Sequence, residues 1–157
     1  MTNYVHKPIN PATEGFNFSE KSLEKLNTAH ADLIALFSEV IKYRDCTVAC
    51  GHRNEIDQEE AYQKKLTELK FPKSKHNVNP SLAVDVAPYI DGKAIFGSNQ
   101  QEKNQMIYFA GFVLGVADRL FDNGIIAHKI RWGGDWDRNL RLDETFIDYP
   151  HFELIEA

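Results

Sequence analysis

From Ser19 onward, apolar residues recur at helical spacing: Leu23, Leu26, then Leu33, Ile34, Phe37, Val40 and Ile41. Steps of three and four place them on one helix face, so one long helix or two consecutive helices are predicted over 19–43. Ser19 is the predicted N-cap, with Glu20 and Ser22 in the first turn. Residues 1–17 show little periodicity and read as an irregular arm. The run 45–51 is short and apolar and reads as a strand. His52-Arg53-Asn54 is a loop, and a helix follows over about 57–69, capped by Asp57, with an apolar stripe of Tyr62, Leu66 and Leu69.

The pattern then changes period. In 82–89 a strand is predicted whose alternate side chains face opposite ways. Leu82, Val84 and Val86 share one face; Ala83, Asp85 and Ala87 share the other. An acid on a face of small apolar residues needs a partner, because buried charges are normally paired or metal-bound. Residues 90–93 read as a hairpin turn and 94–96 as a short return strand. A helix is predicted over 99–121, apolar nearly all round from Met106 and therefore buried and central. Asp122-Asn123-Gly124 stops it. A strand over 125–132, a tight turn at 133–136, a charged excursion over 137–147 and a last strand over 151–155 complete the chain. The expected class is α+β: helices clustered around a small, mainly antiparallel sheet.

Length and charge narrow the picture. The chain has 157 residues, 43% hydrophobic and 26% charged, which fits one globular domain over 1–157 with no second domain. A net charge of -5 argues against broad phosphate neutralisation, hence against nucleic acid, and against stable association with an anionic membrane surface. The first eleven residues lack a basic start followed by an apolar run, so no secretory signal is expected. The most apolar window, 106–121, contains Asp118 and Arg119 and is too short to span a bilayer. Synthesis and first residence in a cytosol are the expectation. Cys46 and Cys50 lie roughly 13 Å apart along a strand at about 3.3 Å per residue, beyond disulfide reach. They are expected as buried, reduced thiols, and a Cys46–Cys50–His52 metal cluster is disfavoured by the same spread.

Candidate chemistry gathers around the awkward acid. His76 lies in the loop that feeds the Asp85 strand. In the last strand His151 and Glu153 share one face, and Asp148 stands just upstream, where Pro150 holds Tyr149 extended. His76, Asp85 and His151 make a three-ligand set with an open fourth position, the composition of a catalytic zinc site. Asp148 is then a candidate general base, and Arg53 a fixed charge for a developing oxyanion. Composition alone leaves this open, since two of six histidines and one of many acids can be combined on paper in several ways. Asp85 paired with Arg53 or Lys75, and solvent-facing histidines, are the plain alternatives.

At these residues the chain resembles a known family. Ser74-Lys75-His76, Ala83-Val84-Asp85 and Asp148-Tyr149-Pro150-His151 are similar to the S-x-H…A-x-D…[DE]-x-x-H signature of the LAS metallopeptidases. Asp85-Val86-Ala87-Pro88-Tyr89 and Arg131-Trp132-Gly133-Gly134-Asp135-Trp136 resemble the phage endolysin branch, and Gly51-His52-Arg53 with Gln58 resembles the family's G-x-R…Q segment. The likeness runs in order from about Thr47 to Leu154. The His76-to-Asp85 spacing is longer than the common one, with Asn79-Pro80 standing as an insertion.

The resemblance implies a hedgehog/D-Ala-D-Ala peptidase-like fold, with one Zn2+ on His76, Asp85 and His151. Asp148 would be the base and then the acid for the leaving amine, and Arg53 would bind the substrate carbonyl or carboxylate. It also implies a monomeric peptidoglycan hydrolase that cuts the L-alanyl–D-glutamate bond of stem peptides and reaches the wall from the host cytoplasm through a membrane lesion. A D,D-carboxypeptidase or D-alanyl-D-alanine dipeptidase on the same site is the alternative activity, and a non-catalytic zinc-stabilised binding module the alternative class. Gln58, Ser74, Trp132 and Trp136 are candidate substrate contacts. Their plain readings are helix surface for Gln58, a loop hydrogen bond for Ser74, and core or cleft wall for the tryptophans. Asp135 and Asp137 are read as a solvated turn in preference to a second cation site. His6, His30, His52 and His128 are read as structural or surface residues, and Gly111 and Gly115 as allowing close packing of the long helix.

Overall fold

The computed structural model describes residues 15–157. Most of the expected arm, and His6 with it, lies outside the described residues; 15–17 carry no regular secondary structure. The predicted 19–43 region is two helices, α1 (Glu20–Leu26) and α2 (Ala31–Val40). Ser19 caps α1 by accepting from the Ser22 amide at 3.1 Å. His30 caps α2 with Nδ1, which accepts from the Asp32 amide at 3.0 Å. Strand β1 is Cys46–Cys50.

Helix α3 (Glu55–Gln63) starts and ends earlier than expected. Asn54, not Asp57, is the cap: its side chain accepts from the Asp57 amide at 2.8 Å. Lys65 then adopts a left-handed conformation (φ 57) and the Leu66 amide closes on the Ala61 carbonyl, which ends the helix. Leu66 and Leu69 are consequently exposed rather than part of a core stripe.

Strand β2 (Ala83–Ile90) turns through Asp91 (φ 51) and Gly92 (φ 76) into a two-residue β3 (Lys93–Ala94), the positive-φ pair of a tight hairpin. Helix α4 (Gln100–Asp122), capped by Asn99, buries Met106, Phe109, Val113, Ala117 and Leu120 along one face. It is amphipathic rather than buried all round: Tyr108 is 69% exposed. Among the described residues, Gly111 and Gly115 face open space, since a Cβ added at either meets nothing within 4 Å. The expected close packing at these glycines is absent. Strand β4 is only Lys129–Trp132, because the Ala127 and His128 amides donate to Asp32 and so leave the strand pattern. Strand β5 (His151–Ile155) falls where the pattern placed it.

The sheet order is β1-β2-β5-β4, all antiparallel, with β3 on β2. Its apolar face carries Val84, Val86, Phe152 and Leu154 against Phe37 of α2 and Phe109 of α4. Phe37 and Phe109 meet Phe152 edge-on at 5.5 and 6.4 Å between ring centres. Each fully buried side chain of this kind contributes roughly 1.5–3 kcal/mol. Packing on that face holds the sheet, so the other face is free to carry polar groups. Register decides which ones meet: Asp85 lies directly opposite His151, and Arg131 opposite Glu153. Cross-strand partners of this kind share a face with Cβ atoms about 4.5–5.5 Å apart.

Candidate active site and metal centre

His76 arrives from a 3-10 turn, Lys75–Asn77, capped by Ser74. Ser74 Oγ accepts from the His76 amide at 3.2 Å, and the Ser74 amide donates to Asn77 Oδ1 at 3.0 Å. The Arg53 amide donates to the His76 carbonyl at 2.7 Å, and Asn77 Nδ2 donates to the Arg53 carbonyl at 2.9 Å. The longer loop after His76 folds back onto the α1–α2 junction, where the Ser81 amide donates to the Thr28 carbonyl and the His30 amide to the Ser81 carbonyl. The insertion therefore does not displace His76 from Asp85.

Both histidine rings are buried and their outer nitrogens are engaged. His76 Nδ1 lies 2.7 Å from the Gly51 carbonyl, and His151 Nε2 lies 2.8 Å from Glu153 Oε2. A carbonyl and a carboxylate only accept, so these nitrogens carry protons. In the neutral rings His76 Nε2 and His151 Nδ1 then present lone pairs. Those two atoms are 3.3 Å apart, and each lies 3.2 Å from Asp85 Oδ1. Four donors held about 2.0–2.1 Å from a tetrahedral Zn2+ are separated by about 3.3–3.4 Å. The near-equilateral triangle is thus one face of such a tetrahedron.

Electrostatics agree. Burial disfavours charge on His76, but Asp85 outweighs it and pushes the imidazole up to about 10. Burial would raise Asp85, yet the two histidines hold its carboxyl well below the usual range. The pocket therefore demands positive charge among these atoms, and a proton supplies it when no metal does.

Asp148 is placed by backbone. Its amide donates to the Gly133 carbonyl at 2.8 Å, its carbonyl accepts from the His151 amide at 3.1 Å, and the Gly133 amide donates to the His151 carbonyl at 2.8 Å. Gly133 is required for this approach, since a Cβ there would sit 2.1 Å from the Asp148 carbonyl oxygen. A carboxylate oxygen of Asp148 lies within 4.8 Å of ligand atoms of both Asp85 and His151. Burial, then the charge of Asp85, raise the Asp148 carboxyl to about 6; His151, His76 and Arg53 partly oppose this.

Arg53 is aimed by its neighbours. Nη1 donates to Gln58 Oε1 at 3.0 Å, and Nη2 lies 3.6 Å from both Cys50 Sγ and Asp85 Oδ2. Gln58 is fully buried and does not line the cleft; its amide donates to the Leu69 carbonyl at 2.5 Å and its Oε1 also accepts from Asn77. It supports Arg53 and is out of reach of a substrate. Trp132 is likewise internal: it is 5% exposed, its indole donates to the Tyr149 carbonyl at 2.7 Å, and it stacks on that ring. Trp136 and Ser74 do line the cleft, a cavity of about 880 Å3 shared with Arg53, Asp85, Asp148 and Phe146. Trp136 lies 5.3 Å from the His151 ring and stacks on Phe146.

Cys50, Glu153 and Arg131 carried no role at the site in the sequence reading. Cys50 is only partly buried; it lines the cleft 3.8 Å from His76 Nδ1. Glu153 is buried against His151, and Arg131 and Lys75 both bind Glu153. The two-residue strand period from His151 was the available signal for Glu153. Elsewhere, Asp135, Asp137 and Glu144 cluster, but their oxygens accept from the amides of Asn139, Leu140 and Asp137 and so close their own loop. No described helix is long and apolar enough to cross a membrane.

Comparisons with known proteins bear on the fold and the family. In structure the chain is similar to an L-Ala D-Glu endopeptidase of Serratia marcescens, ChiX, with a TM-score of 0.65 and 24% identity over 91% of this chain and 92% of that one. That likeness supports the α+β fold. The profile of the phage L-alanyl-D-glutamate peptidases matches residues 14–155. With that match over nearly the whole sequence, the chain belongs to the phage L-alanyl-D-glutamate peptidase family and is a peptidoglycan-cleaving peptidase.

Proposed function

We infer that His76, Asp85 and His151 hold one catalytic Zn2+ and that Asp148 and Arg53 carry out stem-peptide hydrolysis around it. The observation that supports this most directly is the 3.2–3.3 Å triangle of donor atoms, whose outer nitrogens are already spoken for. Bound there, Zn2+ would supply Lewis acidity to a water and to the scissile carbonyl. Asp148 takes a proton from the attacking water and returns it to the leaving D-glutamate amine. Its burial, which disfavours the charged carboxylate, suits both halves of that exchange. Arg53, fixed through Gln58, presents positive charge where the oxyanion develops. Trp136 and Phe146 form an apolar wall for the peptide. The enzyme acts as a monomer on peptidoglycan stem peptides during host lysis, after another protein has permeabilised the membrane.

Metal analysis tests the centre. Purified protein is expected to contain one Zn2+ per chain, and Asp85→Asn to lose it. Metal-free wild-type protein that still hydrolyses peptidoglycan at the full rate would overturn the assignment.

A further inference from the structure

Glu153 is buried, yet each of its oxygens faces a different demand. Oε2 accepts from His151 Nε2 at 2.8 Å. Oε1 accepts from Arg131 Nε at 2.7 Å and from Arg131 Nη2, and lies 3.6 Å from Lys75 Nζ. Three segments meet at this carboxylate. Strand period brings His151 to its face, and antiparallel register sets Arg131 of β4 opposite. Lys75, whose Nζ also donates to the Leu154 carbonyl, ties in the turn that carries His76.

We propose that Glu153 is a positioning residue for the metal centre: Arg131 and Lys75 claim one of its oxygens, and the other fixes the His151 ring proton on Nε2, so that a bare Nδ1 faces His76 and Asp85. This rests on the zinc reading above. The charge pattern makes the assignment specific. Both oxygens of a carboxylate accept, so Glu153 serves the cations and the ring N–H together. A glutamine cannot. Its single carbonyl oxygen is drawn to Arg131 and Lys75, which leaves the amide NH2 pointing at His151 Nε2. The ring must then accept at Nε2, and its proton moves to Nδ1, the atom that faces the metal. Loss of an outer partner of a ligating histidine typically weakens metal binding about 10- to 100-fold.

The test is Zn2+ binding to the full chain by competition with a chromophoric chelator, with the His151 tautomer read from ring nitrogen chemical shifts. Glu153→Gln is expected to raise the Zn2+ Kd about 10- to 100-fold and, in metal-free protein held at an alkaline pH where the ring is neutral, to move the ring proton to Nδ1. Adding Arg131→Met frees the amide to turn back, and should recover part of the affinity and the Nε2–H tautomer. A purely structural role would not move the tautomer. If wild type binds no Zn2+, the metal-centre reading falls. If wild type binds it and Glu153→Gln binds equally well, or Arg131→Met recovers nothing, the zinc reading stands and the role of Glu153 is overturned. Should Glu153→Gln fail to fold, the Zn2+-loaded wild type decides: a His151 Nε2–H protected from exchange with water supports the role, and a freely exchanging one overturns it.

Discussion

His76 Nε2 and His151 Nδ1 face each other at 3.3 Å, although neither has a proton to give the other in the neutral rings. The Gly51 carbonyl holds one ring and the Glu153 carboxylate the other. Two lone pairs and a carboxylate oxygen do not stay in contact without a cation between them. That relationship is what supports the metal-centre proposal, and it directs the predictions that follow.

Asp148→Asn should separate chemistry from metal binding. The amide keeps the shape and the backbone clamp with Gly133 and His151 but cannot take a proton. Loss of a general base typically costs about 10²–10⁴-fold, so kcat should fall by that order while Zn2+ content is unchanged. Stopped kcat with lost metal would instead make Asp148 a ligand.

Gly133→Ala tests the clamp itself. The new Cβ would sit 2.1 Å from the Asp148 carbonyl oxygen and 3.1 Å from its Cβ, so the 148–151 segment must shift. Overpacking of this kind costs about 1–3 kcal/mol, and a misplacement of about 1 Å at a catalytic group can cost about 10²-fold. Thermal unfolding and hydrolysis rates on purified peptidoglycan check the two effects separately. Full activity in this variant would mean that the 133–148 approach does not position the base.

Gln58→Met asks whether Gln58 supports Arg53. The replacement keeps the volume but leaves the Leu69 carbonyl without its donor, at a cost of about 1–3 kcal/mol. It also frees the Arg53 guanidinium. If that loosens the oxyanion contact by about 1.4 kcal/mol, kcat/KM falls about tenfold. Urea unfolding and kinetics should therefore both change, whereas a surface glutamine would move neither.

Asp32 supplies a pH dependence that does not involve the cleft. Its Oδ2 accepts from the Ala127 and His128 amides at 3.0 and 3.1 Å, and lies 2.7 Å from His128 Nδ1. Burial raises its pKa, but the hydrogen bonds from His128 and the two amides win, and the carboxyl is held below the usual 3.8. A carboxyl depressed in the folded state adds stability above its unfolded pKa and loses it as the pH falls through the folded one. Asp32→Asn should thus cost about 1.5–3 kcal/mol near neutrality, as for hydrogen bonds to a charged group. The gap to wild type should close as the pH drops below 3.8. Urea unfolding of both proteins across this range checks it; a constant gap would contradict the linkage.

Much of the fold could be read from local pattern. The alternation around Asp85 and the last strand 151–155 needed only a period of two, and Ser19 capped where a serine before an apolar stripe should. What stayed hidden depends on contacts distant in sequence. Asn54 and Asp57 are both cap-forming residues, and the backbone alone decides that the Asn54 side chain reaches the Asp57 amide. Strand β4 is short because Asp32, 95 and 96 residues earlier, takes its leading amides. Glu153 lay in plain view two residues past His151. Its role depends on Arg131, 22 residues away, and Lys75 on another loop, and no periodicity reports such pairings. Trp132 and Gln58 matched family-like positions, but only packing shows that both point away from the cleft.

The central claim is that His76, Asp85 and His151 hold the metal through which this peptidase cuts before D-glutamate. Its most direct measurement is the identity of the new termini in a digest of purified peptidoglycan, made with chelator-treated protein before and after Zn2+ is restored. The account predicts free D-glutamate amino termini that appear only once Zn2+ is returned. Equal yields of those termini without metal, or released D-alanine in their place, would contradict it.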